Sequence, residues 1–444
     1  MKLIKFNAVN VHGHMSFEID FNTDINFLIG ANGSGKTTAL QIIKAMLTPT
    51  PEHFSQISFD FCSVELADRG RVHHISVHNN PENKLIRFIF DDVRVDIAKS
   101  YLESVYQKSR DEGAFRIEDS DNPIFNKIRK LPTPIFLGID RKRQSDYPYV
   151  AHRAYDSWRG GRVSFSNKSS NLNDALEETQ MMTLESYKGI KNLESKQNIA
   201  LRGIILKSSF KFVEPKQVED LFDARSINKK TTTLLEKKKN ILSALRKISD
   251  IDSSITEEVN VFFSGLSSLI SDLEDVGYDN PTLNLNWLVN HALIDRIIDL
   301  VDVIEDYENK IQKIYEPLDT FINTMNLFFK DSDKTLEVDS IGRMHIKVKN
   351  SSRPLDLGCL SSGEKQILII VANVFFNKYG PALARKRTLI IIDEPELSLH
   401  MRWQEMFSDI VLSTSPDTQF ILATHSPDIV GDLHNKTKII RTGK

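Results

Sequence analysis

Residues 30–37 read GANGSGKT, and they lie between a short apolar run, residues 25–29, and a run with helical apolar spacing, residues 39–47, which Pro49 and Pro51 end. Strand, glycine-rich turn and helix in immediate succession constrain the chain more than any other feature. The glycines let the backbone curl until successive N–H groups converge. The following helix aims the positive end of its dipole at the same point. Such a loop cradles phosphate. Its candidate binding residues are Gly30, Asn32, Gly33, Ser34, Gly35, Lys36, Thr37 and Thr38. Lys36 is placed to reach β- and γ-phosphates, and the Thr37 hydroxyl to ligate Mg²⁺.

At 444 residues the chain exceeds what one core serves, so two or three units are expected, one of them inserted in another. Hydrophobic residues at 40% and charged residues at 26% exclude a disordered chain. The formal charge of -3 excludes a globally basic nucleic-acid binder and leaves room only for a local patch. Cys62 and Cys359 have neither metal-ligand spacing nor a disulfide framework, which fits a reducing compartment, and Cys62 reads as a small buried residue. No run approaches 18 uninterrupted apolar residues, and the first residues alternate apolar with polar. A cytoplasmic protein without a membrane partner is expected.

The first 30 residues read as strands, marked by Leu3, Ile4, Phe6 and Val9, then by alternation over 15–21. Several β-like runs separated by turns follow over 56–99, predicting a mixed or antiparallel sheet attached to the loop's core. Residues 132–140 form another apolar strand. Composition then turns polar and glycine/serine-rich over 158–173, the expected boundary. Beyond it the pattern is helical, clearest where Leu288, Ala292, Ile294, Ile298, Val301, Ile304, Ile311, Ile314 and Leu318 keep one apolar stripe that Pro317 is expected to kink or divide. A compact helical subdomain with at most a short arm is expected. Alternation returns over 335–349. The expected organisation is therefore an N-terminal lobe, 1–165, a helical insertion, 166–332, and a C-terminal lobe, 333–444.

Three further segments carry chemistry. Residues 388–394, TLIIIDE, read as a buried parallel strand delivering two carboxylates at its end. Asp393 is placed for the Mg²⁺ shell, and Glu394 to orient or deprotonate an attacking water. Residues 360–366, LSSGEKQ, open an apolar helical run; Ser361, Ser362, Gly363 and Glu364 form either an anion cradle for a γ-phosphate or an ordinary helix cap. His425 follows another short apolar strand. A histidine there is either structural or, given its place after Glu394, a neutral imidazole facing the γ-phosphate or catalytic water.

In this order the four segments resemble the head domain of ABC-type ATPases, specifically the SMC/RecF-like branch, over residues 1–150 and 331–444. The strings DEPELSLH at 393–400 and ATHSP at 423–427 are similar to those of stand-alone bacterial AAA-like ATP-binding proteins, a group that includes ATPase subunits of anti-phage systems such as PARIS and Septu. The resemblance implies an α/β fold, a P-loop NTPase head with a mixed β-sheet and helices, split by a helical insertion. It implies ATP and Mg²⁺, with 396–400 as the D-loop region. It also implies a homo-oligomer, at least a dimer, in which Lys36, Thr37, Asp393, Glu394 and His425 of one chain face Ser362 and Gly363 of another across ATP. The family's Mg²⁺-sensing glutamine is matched to Gln144, for which a solvated charged turn is the equal alternative. The basic clusters at 141–143, 237–239 and 385–387 read as solvated faces or as contacts to nucleic acid or an acidic partner.

The expected function is an ATP-dependent switch that controls a separate effector, a nuclease in anti-phage defence, triggered by DNA or a phage protein. Only residues 426–444 follow His425, so no C-terminal nuclease domain is expected on this chain. The alternative is a RecF/SMC-like repair ATPase clamping DNA directly, which the net charge disfavours. A transporter ATPase is disfavoured by the insertion.

Overall fold

The computed structural model describes residues 1–48, 51–112, 122–132, 134–138, 172–209, 235, 238, 253–276, 281–349, 351, 353–379 and 389–440. Gln144, the basic clusters at 141–143 and 385–387, most of 237–239 and the compositional boundary at 158–171 lie outside these residues. The chain forms two compact units, Met1–Lys188 with Asp319–Lys444, and Gly189–Leu318.

Among the described residues the first unit holds three sheets. Strands β1 (Lys2–Val11), β2 (Met15–Asp20), β4 (Phe61–Asp68), β5 (Arg71–Asn80), β6 (Leu85–Phe90) and β7 (Val93–Ala98) make an antiparallel sheet in the order β2-β1-β4-β5-β6-β7. Strands β3 (Ile25–Ile29), β8 (Ile135–Leu137), β11 (Leu389–Asp393), β12 (Gln419–Ala423) and β13 (Thr437–Ile439) make a parallel sheet in the order β13-β3-β12-β11-β8. The third sheet is the hairpin β9 (Lys334–Val338) and β10 (Met344–Val348). Ten α-helices are described: α1 (Lys36–Leu47), α2 (His53–Gln56), α3 (Lys99–Glu112), α4 (Pro123–Lys130), α5 (Leu172–Ser209), α6 (Ser253–Val276), α7 (Pro281–Phe329), α8 (Ser362–Tyr379), α9 (Met401–Thr414) and α10 (Pro427–Val430).

Patterning explains the layers. In β2, Met15, Phe17 and Ile19 point inward and alternate with exposed residues, as a sheet with one wet face requires. All five residues of β11 and of β12 are buried, as in a parallel sheet covered on both faces. Helix α1 packs on β11 and β12 and also on β4, so it lies between the two large sheets. A helix in that position must be apolar nearly all round. Ala39, Leu40, Ile42, Ile43, Ala45, Met46 and Leu47 are all buried.

Strand β3 pairs not with its sequence neighbours but with β12 and β13, so the C-terminal segment completes a sheet begun near residue 25. A buried glutamine ties this sheet to the antiparallel one. Gln419, on β12, accepts from Leu3 N (2.7 Å) and donates to Leu3 O (2.8 Å) and Asn22 O (2.7 Å), replacing a missing backbone ladder with one side chain. Cys62 lies in the core, where burial pushes its thiol up to about 12 and makes it inert.

The second unit is helical, with parts of α5 and α7 and all of α6. Within it Tyr307 Oη donates to Asn198 Oδ1 (2.5 Å) and Tyr315 Oη to Glu194 Oε2 (2.7 Å), which Lys191 also contacts (2.9 Å). Helix α7 runs 49 residues, and Pro317 lies inside it without dividing it. A proline removes one backbone bond, and the flanking turns, with Phe321, Met325, Phe328 and Phe329 fully buried beyond it, hold the helix together. No helix among the described residues is long and apolar enough to cross a membrane.

Candidate functional site

The parallel sheet gathers three segments at the C-terminal ends of its strands. β3 delivers the glycine-rich loop, β11 delivers Asp393 and Glu394, and β12, between them, delivers His425. In such sheets ligands bind at this edge.

Glycine is required at two loop positions. Gly35 has φ +92°, and a Cβ there would lie 2.7 Å from Met15 Sδ and 2.9 Å from the Phe17 ring, both on β2. At Gly30 a Cβ would lie 2.6 Å from Ser34 Oγ and 2.7 Å from the Ile440 carbonyl. The loop is closed by Ser34 N donating to Ala31 O (3.1 Å), and Lys36 opens α1. Asn32 and Gly33 are exposed, and Thr37 and Thr38 half-buried. Ser34 is buried, yet its hydroxyl has no hydrogen-bond partner.

Lys36 Nζ donates to the carbonyls of Gly30 (3.0 Å) and Ala31 (3.3 Å) and lies 2.7 Å from His425 Nε2. An ammonium only donates, so Nε2 is the accepting nitrogen. Burial pushes Lys36 below the ordinary ammonium range, against the pull of the Glu394, Asp393 and Glu396 carboxylates, which raise it. Asp393 is 2% exposed and its Oδ1 accepts from Thr37 Oγ1 at 3.3 Å. Glu394 takes the left-handed conformation, φ 47°, with its N–H donated to Ala423 O (2.8 Å). Its side chain is half-buried.

Residues 361–364 form a capping box. Ser361 Oγ accepts from Glu364 N (3.3 Å) and Glu364 Oε2 accepts from Ser361 N (2.7 Å), satisfying two orphan donors at the start of α8. Burial works to raise the Glu364 carboxyl, but the Lys334 ammonium at 2.8 Å and the bonds to Ser361 hold it below its ordinary value. Glu364 is 3% exposed, and its Oε2 is bound inside its own chain. Gly363 is buried against the turn after β11, where a Cβ would overlap the Ser398 carbonyl oxygen. Ser361 and Ser362 face outward.

The structure thus puts Lys36 in contact with His425 and Thr37 in contact with Asp393, and sets Glu394 close enough to act electrostatically on Lys36. Glu396 opens the segment matched to the D-loop, but its contact with His425 was not foreseen, and neither was Gln404. Glu396 Oε1 accepts from His425 N (2.6 Å), and Gln404 Oε1 accepts from Ser426 Oγ (2.6 Å). The available signal was topological: two buried apolar runs of five residues, paired in parallel, place the segments that follow them side by side.

The family model described as AAA ATPase domain (AAA_15) matches residues 1–430. The Retron Ec83 probable ATPase of Escherichia coli is 20% identical over 449 residues, covering 97% of this chain and 69% of that protein. The Retron Vc95 probable ATPase of Vibrio cholerae serotype O1 biovar El Tor is 28% identical over 109 residues, 23% of this chain and 21% of that protein. Similar solved structures include the Smc head domain of Pyrococcus furiosus with an extended coiled coil, bound to the C-terminal domain of ScpA (TM-score 0.39, 13% identity, 97% of this chain and 91% of that one). The SMC head domain of Thermotoga maritima is another (TM-score 0.36, 11% identity, 97% and 93%). With its loop, carboxylates and histidine gathered at one sheet edge and the family model matching nearly its whole length, the chain belongs to the AAA ATPase domain family.

Proposed function

We propose that this protein binds and hydrolyses ATP with Mg²⁺, that two copies close around the nucleotide, and that the closed and open states switch a separate effector, a nuclease in anti-phage defence. The observation that carries the reading is the 2.7 Å contact of Lys36 with His425, residues 389 positions apart. It brings the phosphate loop and the segment beyond Asp393 and Glu394 to one point. That two retron ATPases are among its relatives supports the defence role.

In this reading the N–H groups of residues 33–37 hold the β- and γ-phosphates, and Lys36 Nζ leaves the Gly30 and Ala31 carbonyls to pair with phosphate oxygens. Thr37 Oγ1 and Asp393 Oδ1 would hold Mg²⁺. They already lie 3.3 Å apart, and the unbonded Ser34 hydroxyl lies in the same loop. Phosphate oxygens and water would complete the set. Bound there, Mg²⁺ neutralises charge on the β- and γ-phosphates.

Glu394 accepts a proton from, or orients, the attacking water. The water oxygen bonds to the γ-phosphorus as the bond to the bridging oxygen breaks, and the electron pair leaves on ADP. His425 donates a hydrogen bond to the γ-phosphate or accepts one from that water. The exposed Ser362 completes the site of a second copy. Gln144 is proposed for the Mg²⁺ shell from the family resemblance alone.

The test is phosphate release and sedimentation of the purified chain with Mg²⁺-ATP, with ATP and EDTA, and with ADP. Turnover only with Mg²⁺, and dimers with ATP but not ADP, are expected. Phosphate release undiminished by EDTA contradicts the metal assignment, and a monomer in every nucleotide state contradicts the clamp.

A further inference from the structure

We infer that Glu396 is a positioning residue for the reaction, holding the His425 backbone so that the imidazole meets the phosphate loop. The inference rests on the reading of His425 as a group acting at the γ-phosphate. It starts from the register of the parallel sheet. β11 and β12 run side by side with Asp393 opposite Ala423, and the ladder ends where Glu394 N donates to Ala423 O (2.8 Å). Beyond this point the segment after β12 has one further strand bond, Thr424 N to Leu28 O (3.1 Å). His425 N–H is the first donor past the sheet on that segment. Glu396 Oε1 takes it at 2.6 Å, a charge-assisted bond.

Glu396 is itself well anchored. It sits in a turn bracketed by two non-glycine residues with positive φ, Glu394 at 47° and Ser398 at 60°. Such conformations persist only where the surroundings over-determine them. Here Leu397 N donates to Glu394 O (3.2 Å), Leu399 N donates to Glu396 O (2.9 Å), and the Ser398 carbonyl is wedged against Gly363. A second brace comes from α9. Gln404 Nε2 donates to Leu399 O (2.9 Å) while its Oε1 accepts from Ser426 Oγ (2.6 Å), joining the same turn to the residue after His425. His425 is thus gripped at its own amide and at its neighbour, while its exposed ring meets Lys36 through Nε2.

The carboxylate is poorly used if it serves stability alone. Glu396 Oε2 is buried without a hydrogen-bond partner, a costly state for a charged oxygen that a neutral acceptor would avoid. Its charge is felt at Lys36, alongside those of Glu394 and Asp393. One side chain therefore fixes the histidine backbone and adds to the field around the loop's lysine.

The experiment is steady-state ATP turnover by the full chain for Glu396→Met, Glu396→Gln, His425→Ala and the double variant Glu396→Met/His425→Ala, with thermal unfolding of each. Methionine keeps the length and removes the acceptor; glutamine keeps an oxygen for the His425 N–H. Glu396→Met is expected to lower kcat about tenfold with KM changed less than about twofold, as misplacement of a reacting group does. Glu396→Gln should recover most of that loss. The double variant should be no slower than His425→Ala. Full turnover by Glu396→Met, or a double variant slower by the product of the two single effects, overturns the inference and leaves His425 in place. Full turnover by His425→Ala instead removes the histidine's role, and the inference with it. Should Glu396→Met unfold, Gln404→Leu cuts the second brace alone. Severalfold slower turnover that vanishes in the His425→Ala background supports positioning, and slowing that persists there overturns it.

Discussion

Lys36→Ala is expected to weaken ATP binding by at least about 100-fold and to abolish turnover. Two charge-assisted hydrogen bonds to phosphate contribute roughly 3–5 kcal/mol together, and each 1.4 kcal/mol is about a factor of ten in affinity. The effect is compounded by what alanine leaves behind. Asp393, Glu394 and Glu396 all act electrostatically on the Lys36 ammonium. Without that cation their carboxylates present a negative field to an incoming polyphosphate. The side chain is also nearly buried at 6% exposure, so water compensates little for the loss. Calorimetric titration of the variant with Mg²⁺-ATP decides the matter, and an affinity within threefold of wild type would remove Lys36 from the site.

Glu394→Gln should separate binding from chemistry. Glutamine has the same shape, so the left-handed backbone at φ 47° and its N–H bond to Ala423 O need not change. Phosphate contacts made by the loop are untouched, and ATP affinity should hold within a few-fold. Turnover should fall by about 100- to 10,000-fold, the usual contribution of a group that moves or orients a proton. With hydrolysis slowed, the closed dimer should accumulate and persist through gel filtration with ATP. Single-turnover phosphate release at the wild-type rate would show that Glu394 neither accepts the proton nor orients the water.

The site was legible where chemistry depends on neighbours in sequence. The strand–loop–helix at 25–47 and the buried strand ending at Asp393 follow from apolar runs bounded by glycine or carboxylate. The β-like runs over 56–99 predicted a mixed or antiparallel sheet, and the strands formed there pair antiparallel. Helices α3, α4 and α9 were not anticipated. The sequence of α9 does carry a helical stripe, Trp403, Phe407, Ile410 and Val411, but its start is capped by His400 through a ring nitrogen, not by a conventional cap residue that would have marked it. Strand β13 has three residues, too short for any periodicity, and exists because β3 offers it an edge.

The signature segment shows why one pattern supports two readings. Ser361-Ser-Gly-Glu364 reads equally as an anion cradle and as a capping box, and its own chain uses it as the second: Ser361 and Glu364 satisfy each other, and Gly363 is spent on close approach to Ser398. That leaves Ser362, exposed at the first turn of α8, as the residue free to meet another molecule. The contact also links the signature and carboxylate segments within one chain.

The claim that the site is shared between two copies is tested most directly by mixing two defective chains. Lys36→Ala lacks a working phosphate loop, and Ser362→Arg, altered at an exposed position, lacks a working signature face. Each alone should be inactive. In a mixed dimer one site is rebuilt from the loop of the Ser362→Arg chain and the signature of the Lys36→Ala chain. Random pairing at equal amounts should therefore recover about a quarter of wild-type turnover, since half the dimers are mixed and each has one intact site of two. Full activity of Ser362→Arg alone, or a mixture no more active than its separate parts, would contradict the shared site.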